Sequence, residues 1–281
     1  MSSPLPASPR IGGVDPVLVF DSVTQLDASA RGRVVACGSH GGLYAAWRAA
    51  NAGVRGVLLN DAGIGRHSAG VSGVVWLASL GIPACTVDYR SARIGDGKDT
   101  LASGVVTMAN DMAAYHGCLP GHTGTQAARC MLEAETEIDD HVPRVVDESR
   151  SRIPNGGHRT VWAMDSVALV QPGDRRQIVV TGSHGGLLGG KPDHALDVDV
   201  FAAFFNDAGG GKENAGVSRL PVLDGRGIVA GAVSCHTARI GDGKSTYDTG
   251  VLSHVNESAR RLELREGMSV RQAVARLVGL G

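Results

Sequence analysis

The sequence predicts an α/β protein made of two copies of one Rossmann-like unit, with parallel sheets arranged about a pseudo-twofold. Three observations predict it. One set of words occurs twice: Gly38-Ser39-His40-Gly41-Gly42, Asn60-Asp61-Ala62-Gly63 and Ser91-Ala92-Arg93-Ile94-Gly95-Asp96-Gly97-Lys98 return as Gly182-Ser183-His184-Gly185-Gly186, Asn206-Asp207-Ala208-Gly209 and Thr237-Ala238-Arg239-Ile240-Gly241-Asp242-Gly243-Lys244. His184 follows His40 by 144 residues, and Asp207 and Lys244 follow Asp61 and Lys98 by 146, so order and spacing survive together and mark an internal duplication. In each copy, short apolar runs alternate with segments of helical character, the rhythm of βαβ units with right-handed crossovers. Finally, aromatic content is 4% and there are 40 Gly, so the core must come from Val, Ala, Leu and Ile between tight turns, which favours α/β layers.

The elements follow in order. Residues 1–17 are rich in Pro, Ser and Gly and read as a flexible N-terminus, followed by a first α/β repeat over 18–132, a charged linker over 133–160 and a second repeat over 161–281. Each repeat opens on Asp-Ser-Val, at Asp21 and Asp165. Arg33 to Cys37 reads as a strand, Leu43 to Asn51 as a helix, Gly56 to Leu59 as a strand, Ala69 to Leu80 as a helix and Ile82 to Val87 as a strand. In the second copy, Val200 to Phe205 and Gly227 to Val233 read as strands; the closing segments of the two copies, Asn110 to Tyr115 and Asn256 to Leu264, read as helices. One local change separates the copies: the Ala-rich helix after Gly42 is replaced, after Gly186, by Leu-Leu-Gly-Gly-Lys-Pro-Asp-His, a looser loop suited to a lid or entrance.

Composition excludes several classes. A formal net charge of −1 with no basic stripe predicts no nucleic-acid or membrane partner. The uncharged run Ser68 to Val87 is broken by Gly81-Ile82-Pro83, and its counterpart carries Arg219, Asp224 and Arg226, so it reads as a buried helix and strand rather than a span. Five Cys without a Cys-x-x-Cys pair argue against a disulfide frame, and the start of the chain lacks an apolar export signal, so a cytoplasmic location is expected.

The repeated residues are mostly polar loop residues, where function concentrates. In an open α/β sheet the loops leaving the strand C-termini share one edge, so these loops converge, on two edges or on one shared cleft. His184 and His40 are the acid–base candidates, assisted by Asp207 and Asp61. Arg93 and Arg239 suit a substrate carboxylate. Backbone N–H groups around Gly41, Gly185 and Gly186 suit an oxyanion, and Ser39, Ser183, Asn60, Asn206, Asp242 and Lys244 complete the substrate-binding set.

Three other patterns carry less. Ala238-x-x-x-x-Gly243-Lys244-Ser245 matches a permissive phosphate loop, but Thr246 to Gly250 reads as a poor helix start and the first copy has Asp99 in place of Ser245. Cys235-His236 occurs in the second copy only and reads as a specialised thiol or, more simply, a buried strand Cys. No cofactor is expected: His40, Asp61, His184 and Asp207 have the ligand types for a divalent metal, but no metal-binding spacing supports one. The order strand, Ser-His-Gly, helix, strand resembles caspase-like peptidases, yet Asn60-Asp61-Ala62 and Asn206-Asp207-Ala208 stand where that family needs Cys, so its activity is not carried over.

The expected function is therefore a small-molecule enzyme, a hydrolase of amide or other C–N bonds acting on a small polar or carboxylated, anionic substrate. The alternatives are a lyase or decarboxylase on a small carboxylate, or a non-catalytic anion- or nucleotide-binding module. The second copy is the favoured catalytic one. The copies can face each other within one chain or across a dimer, so a homo-oligomer stays open.

Overall fold

A computed structural model of the chain describes residues 17–134 and 142–280. Most of the expected N-terminal tail and the first part of the expected linker lie outside the described residues. The first half runs β1 (Leu18–Phe20), β2 (Val34–His40), α1 (Leu43–Asn51), β3 (Gly56–Asn60), α2 (Ser72–Ala78), β4 (Ala84–Val87), α3 (Gly97–Ser103), β5 (Val106–Ala109), α4 (Asp111–Tyr115) and α5 (Gly124–Leu132). The second runs β6 (Arg150–Ile153), β7 (Val161–Met164), β8 (Ile178–His184), β9 (Ala202–Asn206), α6 (Arg219–Gly225), β10 (Val229–Val233), α7 (Gly243–Thr249), β11 (Leu252–Val255), α8 (Glu257–Arg261) and α9 (Val270–Val278).

The strands form two sheets in simple order, β1-β2-β3-β4-β5 and β6-β7-β8-β9-β10-β11. Both are mostly parallel, and the two sheets resemble each other as a duplication requires. They are mixed rather than purely parallel: β5, β6 and β11 pair antiparallel at the edges. Part of the expected linker is thus an edge strand of the second sheet.

Side-chain alternation explains the three-layer build. In β2 and β3, Val35, Cys37, Val57 and Leu59 face α1 and α2, while Val34, Ala36 and Leu58 face α4 and α5. Strands covered on both faces read as continuous apolar runs. In the second half, Ile178, Val180, Ala202 and Phe204 face α8 and α9, and Val179, Ala203 and Phe205 face α6. There Leu187, Ala195, Leu196 and Val200, from the loop that replaces α1, pack on the same face as α6. Phe205 stands where the first copy has Leu59, a larger side chain where a helix is missing. Among the described residues no helix is long and apolar enough to cross a membrane.

The segment after Lys244, expected to start a helix poorly, is helix α7, matched by α3. The reason is capping: Asp96 and Asp242 accept from the N–H of Asp99 and Ser245, and Asp21 and Asp165 accept from Gly97 and Gly243. This gives the repeated Asp of Asp-Ser-Val its task. It also fills the helix N-termini with carboxylates, which removes the phosphate-loop reading on electrostatic grounds. Asp165 additionally accepts from Ser149 N–H, at 2.7 Å. Asp165→Ala is expected to cost about 1–2 kcal/mol, as caps do, measured by urea unfolding.

Candidate functional site

The C-terminal edges of the two sheets meet, so the site is one shared cleft. Matched contacts cross it: Arg66 N–H donates to Cys235 C=O at 2.7 Å, and its counterpart Lys212 N–H donates to Tyr89 C=O at 2.9 Å. Ala62, Ile94, Ala208, Ala215 and Ile240 form an apolar cluster drawn from both halves. Two ion pairs reinforce the contact, Lys212 Nζ to Asp99 at 2.9 Å and Arg93 to Glu213 at 2.8 Å.

His40 and His184 end β2 and β8. Each crosses to the opposite half: a Cβ on Gly241 would lie 3.4 Å from His40 Cε1, and one on Gly95 3.4 Å from His184 Cε1. Both glycines hold positive φ, 82° at Gly95 and 80° at Gly241, so the repeated Ile-Gly-Asp turn needs glycine for its backbone. Both imidazoles line one cavity of about 80 Å³, together with Ser39, Ser183, Ser22 and Ser166. Val146, Asp147 and Glu148, from the segment preceding β6, line it too.

The ring chemistry follows from the turns. Gly42 N–H donates to His40 Nδ1 and Gly186 N–H to His184 Nδ1, each at 3.1 Å. A nitrogen that accepts an N–H carries no proton, so each neutral ring bears its hydrogen on Nε2. Burial pushes His40 down to about 4, and burial, then the nearby Arg219 and His40, hold His184 well below the usual histidine value. Both rings are therefore neutral N–H donors near neutral pH.

The other predicted residues divide. Ser39 and Ser183 line the cavity, their hydroxyls accepting from Val23 and Val167 N–H at 3.0 and 2.9 Å. Asn60 and Asn206 accept from Ala62 and Ala208 and donate to Ala92 and Ala238 C=O, tying two loops of each copy together. Asp61 and Asp207, expected to assist the histidines, instead accept from backbone: Asp61 from Gly63 and Tyr89, Asp207 from Gly209 and Cys235, with Ser253 Oγ on its second oxygen. The histidines' Nδ1 atoms are already satisfied, so no carboxylate is needed to orient them. Burial raises the Asp61 carboxyl above its ordinary value.

The expected oxyanion donors are also spent. Gly41 and Gly185 N–H bond to Asn60 and Asn206 C=O, each at 2.9 Å, and the next two amides hold the imidazoles. These glycines serve packing: a Cβ on Gly41 would meet the Gly70 carbonyl at 2.8 Å, and one on Gly186 the Ala215 carbonyl at 2.7 Å. Arg93 and Arg239 lie outside the histidine cavity and pair with carboxylates, Arg93 with Glu213, Asp96 and Asp99, and Arg239 with Asp242. Asp242 is the α7 cap, and Lys244 is exposed and pairs with Asp248. Burial, with Asp207 beside it, pushes the Cys235 thiol up to about 12, so it is a protonated packing residue, while His236 is exposed. Among the described residues no three His, Cys, Asp or Glu side chains converge as metal ligands.

Two groups escaped the sequence reading. Tyr44, from the first turn of α1, lines the cavity beside Glu148, which raises the phenol after burial does. Arg219 is 2% exposed and lines a second cavity of about 300 Å³, which shares Ser22, Thr24, Ser166, Ser183 and His184 with the first. The signal for Arg219 was a mismatch: the equivalent position of the first copy is Gly73. Comparison with protein-family models, curated proteins and solved structures returned no match.

Proposed function

We propose that the chain is an enzyme of small-molecule chemistry, a hydrolase of an amide or other C–N bond in a small polar or carboxylated substrate bound between the repeats. One observation carries the reading: two matched, neutral imidazoles share a cavity, each locked by its own backbone with Nε2–H as its donor. Donors fixed in advance stabilise negative charge developing on a carbonyl oxygen at little reorganisation cost. In this reading the imidazoles take the role first given to the glycine amides. In this reading Asp147 and Glu148, which line the same cavity, are the candidate proton acceptors for the attacking water.

The test is release of amine or ammonia from a panel of small linear and cyclic amides and ureas. Turnover by the wild type is expected, with His184→Ala lowering it by about 100-fold or more while substrate affinity changes little. Affinity lost in parallel with any turnover, or binding with no turnover across the panel, would favour the non-catalytic binding module instead.

A further inference from the structure

We propose that the cavity of about 300 Å³ beside His184 is the anion subsite of the cleft and that Arg219 is the residue that takes the carboxylate of a small organic acid. The inference rests on reading the cleft as a small-molecule site and names its substrate class and its polarity.

The Arg219 side chain is placed with care. Nε donates to Gly186 C=O at 2.9 Å and Nη1 to Ala195 C=O at 2.5 Å, and the guanidinium lies over the Phe205 ring, 5.5 Å from its centroid. Those bonds fix its orientation and leave Nη2 without a hydrogen bond among the described residues. No carboxylate lies within ion-pairing distance of Arg219 among those residues, whereas Arg93, Arg150, Arg226 and Arg239 all have such a partner. A guanidinium 2% exposed is expensive to bury without an opposite charge. Its burial draws it down to about 10, opposed only in part by the field of Asp197, an exposed residue at the cavity wall.

A merely structural clamp between two carbonyls needs no charge. The cost is understandable where a ligand supplies the counter-ion, and a planar fork is the group that matches a carboxylate. The two copies differ at this place for a physical reason. In the first copy α1 fills the equivalent space, and a Cβ on Gly73 would already lie 2.5 Å from Ala46 Cβ. In the second, a loop replaces that helix, and its Leu188, His194, Leu196 and Asp197 line the cavity together with Arg219. His184 lines both cavities, so an acid held by Arg219 would extend its other end toward the paired imidazoles.

The experiment is calorimetric titration of the full chain with malonate and succinate, with malonamide and succinamide as uncharged probes, on wild type, Arg219→Lys, Ala168→Trp and Arg239→Gln. Ala168 is an exposed wall residue of this cavity, so its tryptophan obstructs the space and leaves the contacts of Arg219 alone, which guards against a misfolded Arg219 variant. The expected result is carboxylate binding by wild type and Arg239→Gln, weakened at least 10-fold in Arg219→Lys and Ala168→Trp, with the diamides bound weakly by all. Absence of carboxylate binding to wild type, or equal binding by Ala168→Trp, overturns the proposal. Binding by this pattern without turnover of any amide keeps the subsite and sinks the hydrolase. Turnover of neutral amides with no carboxylate binding does the reverse.

Discussion

Gly216→Ala is expected to destabilise the protein by about 3 kcal/mol, and Gly70→Ala by a similar amount. A Cβ at Gly216 would sit 1.9 Å from the Asp207 carbonyl oxygen, and one at Gly70 2.1 Å from that of Asp61. The atom struck is backbone, so no rotamer change relieves the clash. The neighbouring chain must move, although Gly216 N–H and Gly70 N–H are pinned to Gly210 and Ile64 carbonyls at 2.8 and 2.9 Å. These returns of the chain hold the Asn-Asp-Ala-Gly loops against the opposite half, so the damage falls on the contact between repeats. Gly225→Ala, where added atoms meet nothing within 4 Å, should be neutral or stabilising by about 0.5 kcal/mol. Urea unfolding of the three variants checks this. Equal midpoints for Gly216→Ala and Gly225→Ala would mean that the loop has slack that the packing does not show.

Stability is also expected to fall steeply as pH drops from 6.5 toward 4. A histidine whose folded value is depressed contributes fully above its unfolded value, near 6.5, and loses that contribution as pH falls through the window to its folded value, about 4 for His40. Across that window the unfolded chain binds the extra proton. The shift at His40 corresponds to roughly 3 kcal/mol at most, and His184 adds in the same direction. Asp61, raised by burial, works oppositely, with its favourable part gained only as pH falls through the carboxylate range. Unfolding free energies measured between pH 7 and 4 should show the slope in wild type and a much shallower one in His40→Gln/His184→Gln. An unchanged slope in the double variant would assign the titration to other groups.

The interior of each sheet was legible in the sequence because burial on both faces leaves strands such as Val34 to Cys37 and Ala202 to Phe205 with apolar residues at every position. The edge strands carry mixed residues, as in Arg150-Ser151-Arg152 or Ser253-His254, and offered no such run. Helices α3 and α7 were obscured because Gly, Lys, Asp and Thr have modest helix preference, and the stabilising caps come partly from Asp21 and Asp165, far away in the chain. The two histidine turns stood out in the sequence by repetition, which left open whether they sit on two edges or in one cleft. The roles of their companions were not, since a residue kept in both copies to tie loops together, as Asn60 and Asp207 are, looks the same in sequence as one kept for chemistry. Arg219 reads in sequence as an ordinary helix charge, because its burial depends on the loop after Gly186, distant in the chain.

The difference between the copies bears on direction. A pocket lying between two identical units offers any lopsided molecule two equivalent poses, head to tail and tail to head, and half of the bound population faces the wrong way for a one-sided reaction. Joining the units in one chain allows the two walls to diverge independently. With arginine on one side and glycine at the equivalent place on the other, at 219 and 73, the pocket has acquired a front and a back.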